Sequence, residues 1–175
     1  MSKIISLISK EEIAKKVEEL ADSISNDYKG GDLLVVGILK GAYIFMADLV
    51  RRLKIPVKCD FVKVSSYGSG AKSSGKIRFD LDLSCSICGK DVLLVEDIID
   101  TGLTLKALRE RLLSCRPSSL KICAFLDKPS RREVEIEADY PAIKVPDKFL
   151  VGYGLDADEK FRELPFVGYL EEEDK

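Results

Sequence analysis

Three carboxylates and a threonine-glycine turn stand together in Glu96-Asp97-Ile98-Ile99-Asp100-Thr101-Gly102-Leu103-Thr104. The turn suits a phosphate. Backbone N–H groups that open a helix lack partners within it, and the helix dipole favours an anion there. Gly102 can take φ > 0 and let the backbone approach a ligand closely, while Thr101 and Thr104 add hydroxyl donors. Three acids beside a phosphate repel it, so they need a purpose of their own. A divalent cation or the hydroxyls of a ribose would supply one. A buried strand followed by an acidic helix cap accounts for the same residues without chemistry.

Other chemistry is narrowed by composition. The chain has no histidine, which removes Ser-His, Cys-His and His-metal arrangements together. Acid–base work falls to Asp, Glu, Lys or Tyr. Lys40 and Lys128 each follow an apolar run, in Leu39-Lys40-Gly41 and Asp127-Lys128-Pro129. Each reads as a solvated loop residue or as a cation facing a ligand. Cys85-Ser86-Ile87-Cys88 is a C-x-x-C pair, but zinc wants a second pair and a redox pair wants to open a helix; Gly89 and a strand follow instead. Gly70–Lys76 spells G-x-x-x-x-G-K, yet Ile77 stands where Ser or Thr should hold magnesium and strand-like alternation follows, so a P-loop is rejected.

The elements that must position these residues are legible in the periodicities. Val92–Val95 reads as a strand buried on both faces, in the middle of a parallel sheet. From residue 103 a helix follows, with Leu105, Leu108 and Leu112 on one face. The acids and the turn then lie in the crevice at the carboxyl end of a central strand, where open α/β sheets bind ligands. Leu33–Leu39 is a second strand, ended by Lys40-Gly41 and followed by helical spacing over 42–53. Further strands are expected over Val57–Val64, Ile77–Leu83 and Leu120–Leu126, with a short one at Tyr169-Leu170. Residues 9–28 form an amphipathic helix through Ile13, Val17, Leu20, Ile24 and Tyr28. Ser9 and Glu12 make its capping box, Ile8 and Ile13 a staple, and Gly30-Gly31 its stop. The Gly/Ser/Lys-rich residues 68–76 cannot pack and should be mobile.

The bulk numbers bound the class. At 175 residues, 46% hydrophobic and 33% charged, the chain is one globular domain with a full core. A net charge of −2 gives no global reason to bind nucleic acid or a membrane. No apolar run approaches the ~20 residues that span a bilayer, and the N-terminus lacks a signal-peptide pattern. Five cysteines, an odd count in a chain too large to need disulfides, read as a reduced cytoplasmic protein. No linker or internal repeat divides the chain.

The string of four apolar residues, Glu96-Asp97, two apolar residues and Asp100-Thr101-Gly102-x-Thr104 resembles the phosphoribosyl pyrophosphate (PRPP) motif of the type I phosphoribosyltransferases. Its wording is similar to the 6-oxopurine branch, the hypoxanthine-guanine phosphoribosyltransferases. The resemblance runs from about residue 33 to 170, with its motifs in order. It implies an α/β, type I phosphoribosyltransferase fold: a central, mainly parallel, twisted sheet flanked by helices. One domain would span 1–175, with a core over about 33–145, a small hood from the N-terminal segment and about 146–170, and a flexible lid loop over 66–79. The implied activity belongs to purine salvage. It is magnesium-dependent transfer of the 5-phosphoribosyl group from PRPP to N9 of a 6-oxopurine, hypoxanthine and guanine, giving IMP or GMP and pyrophosphate.

Roles follow from the same resemblance. Asp100 would be catalytic, accepting the purine N7 proton, and with Thr101, Gly102, Leu103 and Thr104 would hold the 5′-phosphate. Glu96 and Asp97 would take the ribose diol, directly or through Mg2+. Leu39, Lys40 and Gly41, often with a cis Leu-Lys peptide in the family, would contact pyrophosphate together with Arg162. Lys128 would reach the purine O6, Phe149 would stack on the base, the Leu150 backbone would read its edge, and Asp156 would lie near the base, the metal and the pyrophosphate. Glu96, Asp97 and Asp156 would be the metal ligands, and Ser66 and Tyr67 would open the lid. A homo-oligomer, dimer or tetramer, is expected, with no nucleic-acid or membrane partner. Leu103 replaces a lysine, and Gly154 an alanine, found in relatives. The alternatives are a transferase for xanthine or a pyrimidine, a nucleotide-sensing RNA-binding regulator on the same fold, and a PRPP synthase-like protein, which would need an ATP site that the rejected P-loop does not supply.

Overall fold

The computed structural model describes residues 4–66, 77–140 and 143–171. Its elements run β1 (Ile4–Ile8), α1 (Lys10–Asp27), β2 (Leu33–Leu39), α2 (Tyr43–Val50), β3 (Val57–Ser66), β4 (Ile77–Leu81), β5 (Asp91–Ile99), α3 (Leu103–Ser114), β6 (Ser119–Asp127), β7 (Ile143–Lys144), β8 (Leu150–Val151) and β9 (Val167–Leu170). Of the lid loop expected over 66–79, Ser66 ends β3 and Ile77–Phe79 open β4, both held by the antiparallel pairing of those strands, while Tyr67 and 68–76 lie outside the described residues.

The apolar runs build one six-stranded sheet in the order β4-β3-β2-β5-β6-β7. Its pairs are parallel except β3–β4. Alternate residues feed opposite faces, as the period of a strand requires. Leu33, Val35, Leu93 and Val95 pack with α1 and α2 on one side; Leu34, Val36, Val92 and Leu94 pack with α3 on the other. Both faces are covered, so the strands are apolar throughout.

Two of the boundaries that differ from the periodicity reading bear on the site. The central strand does not stop at Val95; β5 continues to Ile99, so Glu96 and Asp97 lie within it. Its pairing with β6 supplies the reason, continuing through Glu96–Ala124 to Ile99–Asp127. Helix α2 covers Tyr43–Val50 rather than 42–53, with no side-chain cap at Ala42 and a C-cap at Arg51.

A second, antiparallel sheet has the order β1-β9-β8. It brings the N-terminal strand against the last segment of the chain. Ile8, Leu150 and Val167 of this sheet are buried in the same apolar cluster as α1 and α2. Helix α1 starts as its sequence dictates: Glu12 N–H donates to Ser9 Oγ at 3.2 Å, and Ser9 N–H donates to Glu12 Oε2 at 2.8 Å.

Candidate active site

The site begins where the sheet parts. Pairing between β2 and β5 ends at Gly37–Val95, while β2–β3 continues to Leu39–Lys63 and β5–β6 to Ile99–Asp127. Strand order also reverses here, since the chain winds outward from β2 to β3 and then returns to β5. That is the switch point at which open parallel sheets leave a crevice.

Lys40-Gly41 enters the crevice from β2, with a cis Leu39-Lys40 peptide. Glu96 and Asp97 enter from β5. A Cβ on Gly41 would overlap the Asp97 carboxylate, so the backbone of one wall touches the acid of the other. Both acids are partly buried. Burial, then the neighbouring Asp97 carboxylate, push Glu96 well above the ordinary carboxylate range, and burial raises Asp97 too. A pair held this way gains from a cation or hydroxyl donors placed against it.

The turn after β5 carries Asp100 to Thr104. Gly102 is the N-cap of α3 with φ +82°, and a Cβ there would stand 2.5 Å from Ile136 Cγ2. Glycine is therefore required twice, by dihedral and by space. Gly102 has no side chain to cap this helix start, and a helix N-terminus of this kind favours an anion. Leu103 N–H donates to Thr101 Oγ1 at 3.4 Å. Asp100 Oδ1 is buried and accepts no hydrogen bond among the described residues; Arg131 Nε lies 3.4 Å from it.

Lys128 follows β6, and its backbone N–H donates to Ile99 O at 3.0 Å, tying the ends of β5 and β6. Its side chain is buried at 7% exposure. The ammonium donates to Lys148 O at 2.9 Å and stands 4.0 Å from Asp147 Oδ1. Phe149, next along, is 65% exposed, whereas Leu150 is buried in β8. An exposed ring beside a buried ammonium and a strand backbone can receive a flat heterocycle with a carbonyl edge.

Arg162 and Asp156 meet on the opposite wall. Arg162 Nη2 lies 2.9 Å from Asp156 Oδ1 and Nη1 donates to Gly154 O at 2.7 Å. Asp156 Oδ2 accepts the Glu159 N–H at 2.8 Å. Glu159 Oε2 accepts from Lys40 Nζ at 2.9 Å and from Arg162 Nη2 at 3.2 Å. The hydrogen bond from Lys40, then that from Arg162, hold its carboxyl below the ordinary range. A Cβ on Gly154, at φ +102°, would strike the Gly41 carbonyl oxygen. Alanine there needs a displaced backbone.

Glu159 and Arg131 escaped the sequence reading. The spacing Asp156-x-x-Glu159-x-x-Arg162 was the one signal for the first; Arg131 carried none. Of the three acids expected to hold a metal, Glu96 and Asp97 adjoin on β5, while Asp156 pairs with Arg162; among the described residues no cluster of three or more His, Cys, Asp or Glu that could hold a metal is present. The adjacent oxygens of Glu96 and Asp97 nevertheless suit a hard divalent cation that keeps its waters and binds through one or two carboxylates plus a substrate. Cys85 and Cys88 are exposed and free.

Fold and site together define an α/β protein with a crevice at a sheet switch point and, beside it, a glycine-capped helix start suited to an anion. Residues 6–158 match the family described as phosphoribosyl transferase domain. This chain belongs to that family. It is similar to the hypoxanthine-guanine phosphoribosyltransferase of Aquifex aeolicus, 52% identical over 167 residues that cover 95% of this chain and 94% of the relative. The same-named protein of Staphylococcus epidermidis is 48% identical over 95% of this chain and 93% of its own length. Among solved structures, a hypoxanthine phosphoribosyltransferase from Staphylococcus aureus superposes with a TM-score of 0.93 at 46% identity, covering 95% of this chain and 91% of that one. A Bacillus anthracis hypoxanthine-guanine phosphoribosyltransferase with a HEPES molecule in its active site gives 0.92 at 44% identity, covering 97% and 99%.

Proposed function

We propose that this chain is a purine-salvage transferase that moves the 5-phosphoribosyl group of PRPP to N9 of hypoxanthine or guanine. The observation that carries this reading is the parted sheet. At its crevice lie the Thr101–Thr104 turn, the acids Glu96 and Asp97 and the Lys40 loop, and Lys128 follows the neighbouring strand β6. Thr101–Thr104 holds the 5′-phosphate through backbone and hydroxyl donors. Glu96 and Asp97 take the ribose 2′- and 3′-hydroxyls and, with the substrate, the Mg2+ ion. Bound magnesium neutralises charge on the pyrophosphate and orients PRPP. Lys40 and Arg162 face the leaving group and stabilise charge as it develops.

As the C1′–oxygen bond to pyrophosphate breaks, the N9–C1′ bond forms and the purine loses a proton. Asp100 accepts that proton from N7 through Oδ1, which accepts no hydrogen bond among the described residues and stands 3.4 Å from Arg131 Nε. Lys128 donates to O6 of the base, and Phe149 lies against its face. Adenine presents an amino group where Lys128 needs an acceptor, so adenine is refused. Lys148 O and Asp147 hold the ammonium in place. The enzyme works in the cytoplasm, where its five free cysteines stay reduced, and as a homo-oligomer, dimer or tetramer.

The test is pyrophosphate release from PRPP and magnesium against hypoxanthine, guanine, xanthine, adenine, uracil and orotate. Turnover is expected with 6-oxopurines and not with adenine. Asp100→Asn should lower kcat by about 10²–10⁴, the range of a general base, while PRPP binding persists. Full activity in that variant removes Asp100 from the mechanism. No turnover with any base, joined to tight nucleotide binding, overturns the enzyme reading in favour of a regulator.

A further inference from the structure

We infer that Glu159 is an internal counter-anion for the pyrophosphate subsite, so that pyrophosphate must displace its carboxylate to bind and is in turn displaced by it. The inference rests on the reading of Lys40 and Arg162 as the pyrophosphate cations. Those two residues come from different walls, one after β2 and one after β8. A single carboxylate oxygen reaches both, at 2.9 Å from Lys40 Nζ and 3.2 Å from Arg162 Nη2. One anion already spans the gap that a diphosphate would span.

The placement is built by the backbone. Asp158 and Glu159 both take positive φ, +52° and +62°, and Phe161 follows at +77°. Non-glycine residues adopt that region only where the surroundings hold them. Two such surroundings are visible. Ala157 and Lys160 exchange backbone hydrogen bonds of 3.1 Å across the turn, and Asp156 Oδ2 takes the Glu159 N–H at 2.8 Å. The turn fixes the Glu159 backbone so that its side chain reaches the two cations.

The side chain is also able to leave. It is 64% exposed and the Lys40 side chain 49%, and exposed ion pairs are weak and salt-screened. A pyrophosphate carries more charge than one carboxylate and offers oxygens to both cations at once. It therefore wins the competition, but against a resident anion rather than against water. The consequence falls on the product. A site that binds the leaving group too tightly retains it, and the competing carboxylate weakens that hold without touching the reacting carbon.

A purely mechanical role, clamping the turn to the Lys40 loop, makes a different prediction. Glu159→Gln keeps shape and a hydrogen-bond acceptor but removes the charge. As a counter-anion, its loss should tighten inorganic pyrophosphate about three- to tenfold, the size that one or two half-exposed ion pairs carry. This would be read by calorimetric titration with pyrophosphate and magnesium chloride, and again as a lower constant for product inhibition. KM for PRPP should fall with it, the difference between variant and parent should shrink in high salt, and Glu159→Asp should restore part of the parent value. Pyrophosphate affinity unchanged or weakened in Glu159→Gln, while Lys40→Ala weakens it, overturns the counter-anion role and leaves the subsite standing. Pyrophosphate affinity unchanged in Lys40→Ala removes the subsite itself, and the inference with it. Thermal melts of all variants separate these outcomes from loss of fold.

Discussion

A methyl group added at position 41 has nowhere to go, because its place is taken by the Asp97 carboxylate. Gly41→Ala must push either the lysine loop or the acid away from the crevice. A shift of about 1 Å at a reacting site costs about 10²-fold, so kcat/KM for PRPP should fall by that order. Circular dichroism should stay that of the parent, since Gly41 lies beyond the last residue of β2 and before the first of α2. Parent-like kinetics in this variant would mean that the contact is not maintained in solution. At this scale the sequence was readable where chemistry interrupts apolar runs. Glu96, Asp97, Asp100 and Lys40 stand out against leucine and valine. Glu159 and Arg131 do not, because each is one charge in a loop of charges. The partner that gives Glu159 meaning lies 119 residues away. Asp156 was placed near the metal and the pyrophosphate by the resemblance; its pairing with Arg162 depends on a turn that no periodicity encodes.

Among the elements, α1 is the one whose start is written fully in residue types. Its capping box has both reciprocal bonds. Ser9→Ala should lower stability by about 1 kcal/mol, which lowers Tm by about 2–4 °C in a domain of this size. kcat should not change, because the cap lies in no wall of the crevice; a kinetic defect would reveal coupling between α1 and the site. Strand β5 shows the opposite case. Periodicity ends it at Val95, where acids begin, yet hydrogen bonding to β6 carries it to Ile99. A strand tolerates carboxylates where its neighbour on one side has ended and an opening begins. The two-residue strands β7 and β8 were invisible for another reason: a period of two needs more than two residues to be seen.

Taken whole, the molecule wraps a sheet that is apolar on both faces, and its thiols report on that wrapping. Cys123 lies on β6 in the cluster beneath α1 and α2, and burial pushes its thiol up to about 12. The reactive form is the thiolate. At pH 8 only on the order of one part in ten thousand of Cys123 is ionised, and that fraction rises as the pH approaches 12. Mass spectrometry after iodoacetamide at pH 8 should find the exposed Cys59, Cys85 and Cys88 alkylated and Cys123 untouched until denaturant is added. Early labelling of Cys123 would mean that the sheet opens in the native state. The second sheet is tied to the first by Tyr153, whose ring packs on Phe125 at 5.0 Å and whose hydroxyl donates to Asp48 at 2.9 Å. Order along the chain placed most of the large sheet. The pairing of β1 with β9, from opposite ends, was not legible, because neither strand states its partner.

Gly154, Gly41 and Asp97 form a stack in which each member leaves no room for an added atom on the next. The backbone of the Gly154 loop rests on the Gly41 carbonyl, and the Gly41 backbone rests on the Asp97 carboxylate, so the two loops and the acid share one packed line. At 154 and 41 alanine is an insertion, not a deletion, so a substitution that trims other positions crowds these two; only at Asp97 does alanine take atoms away from the line.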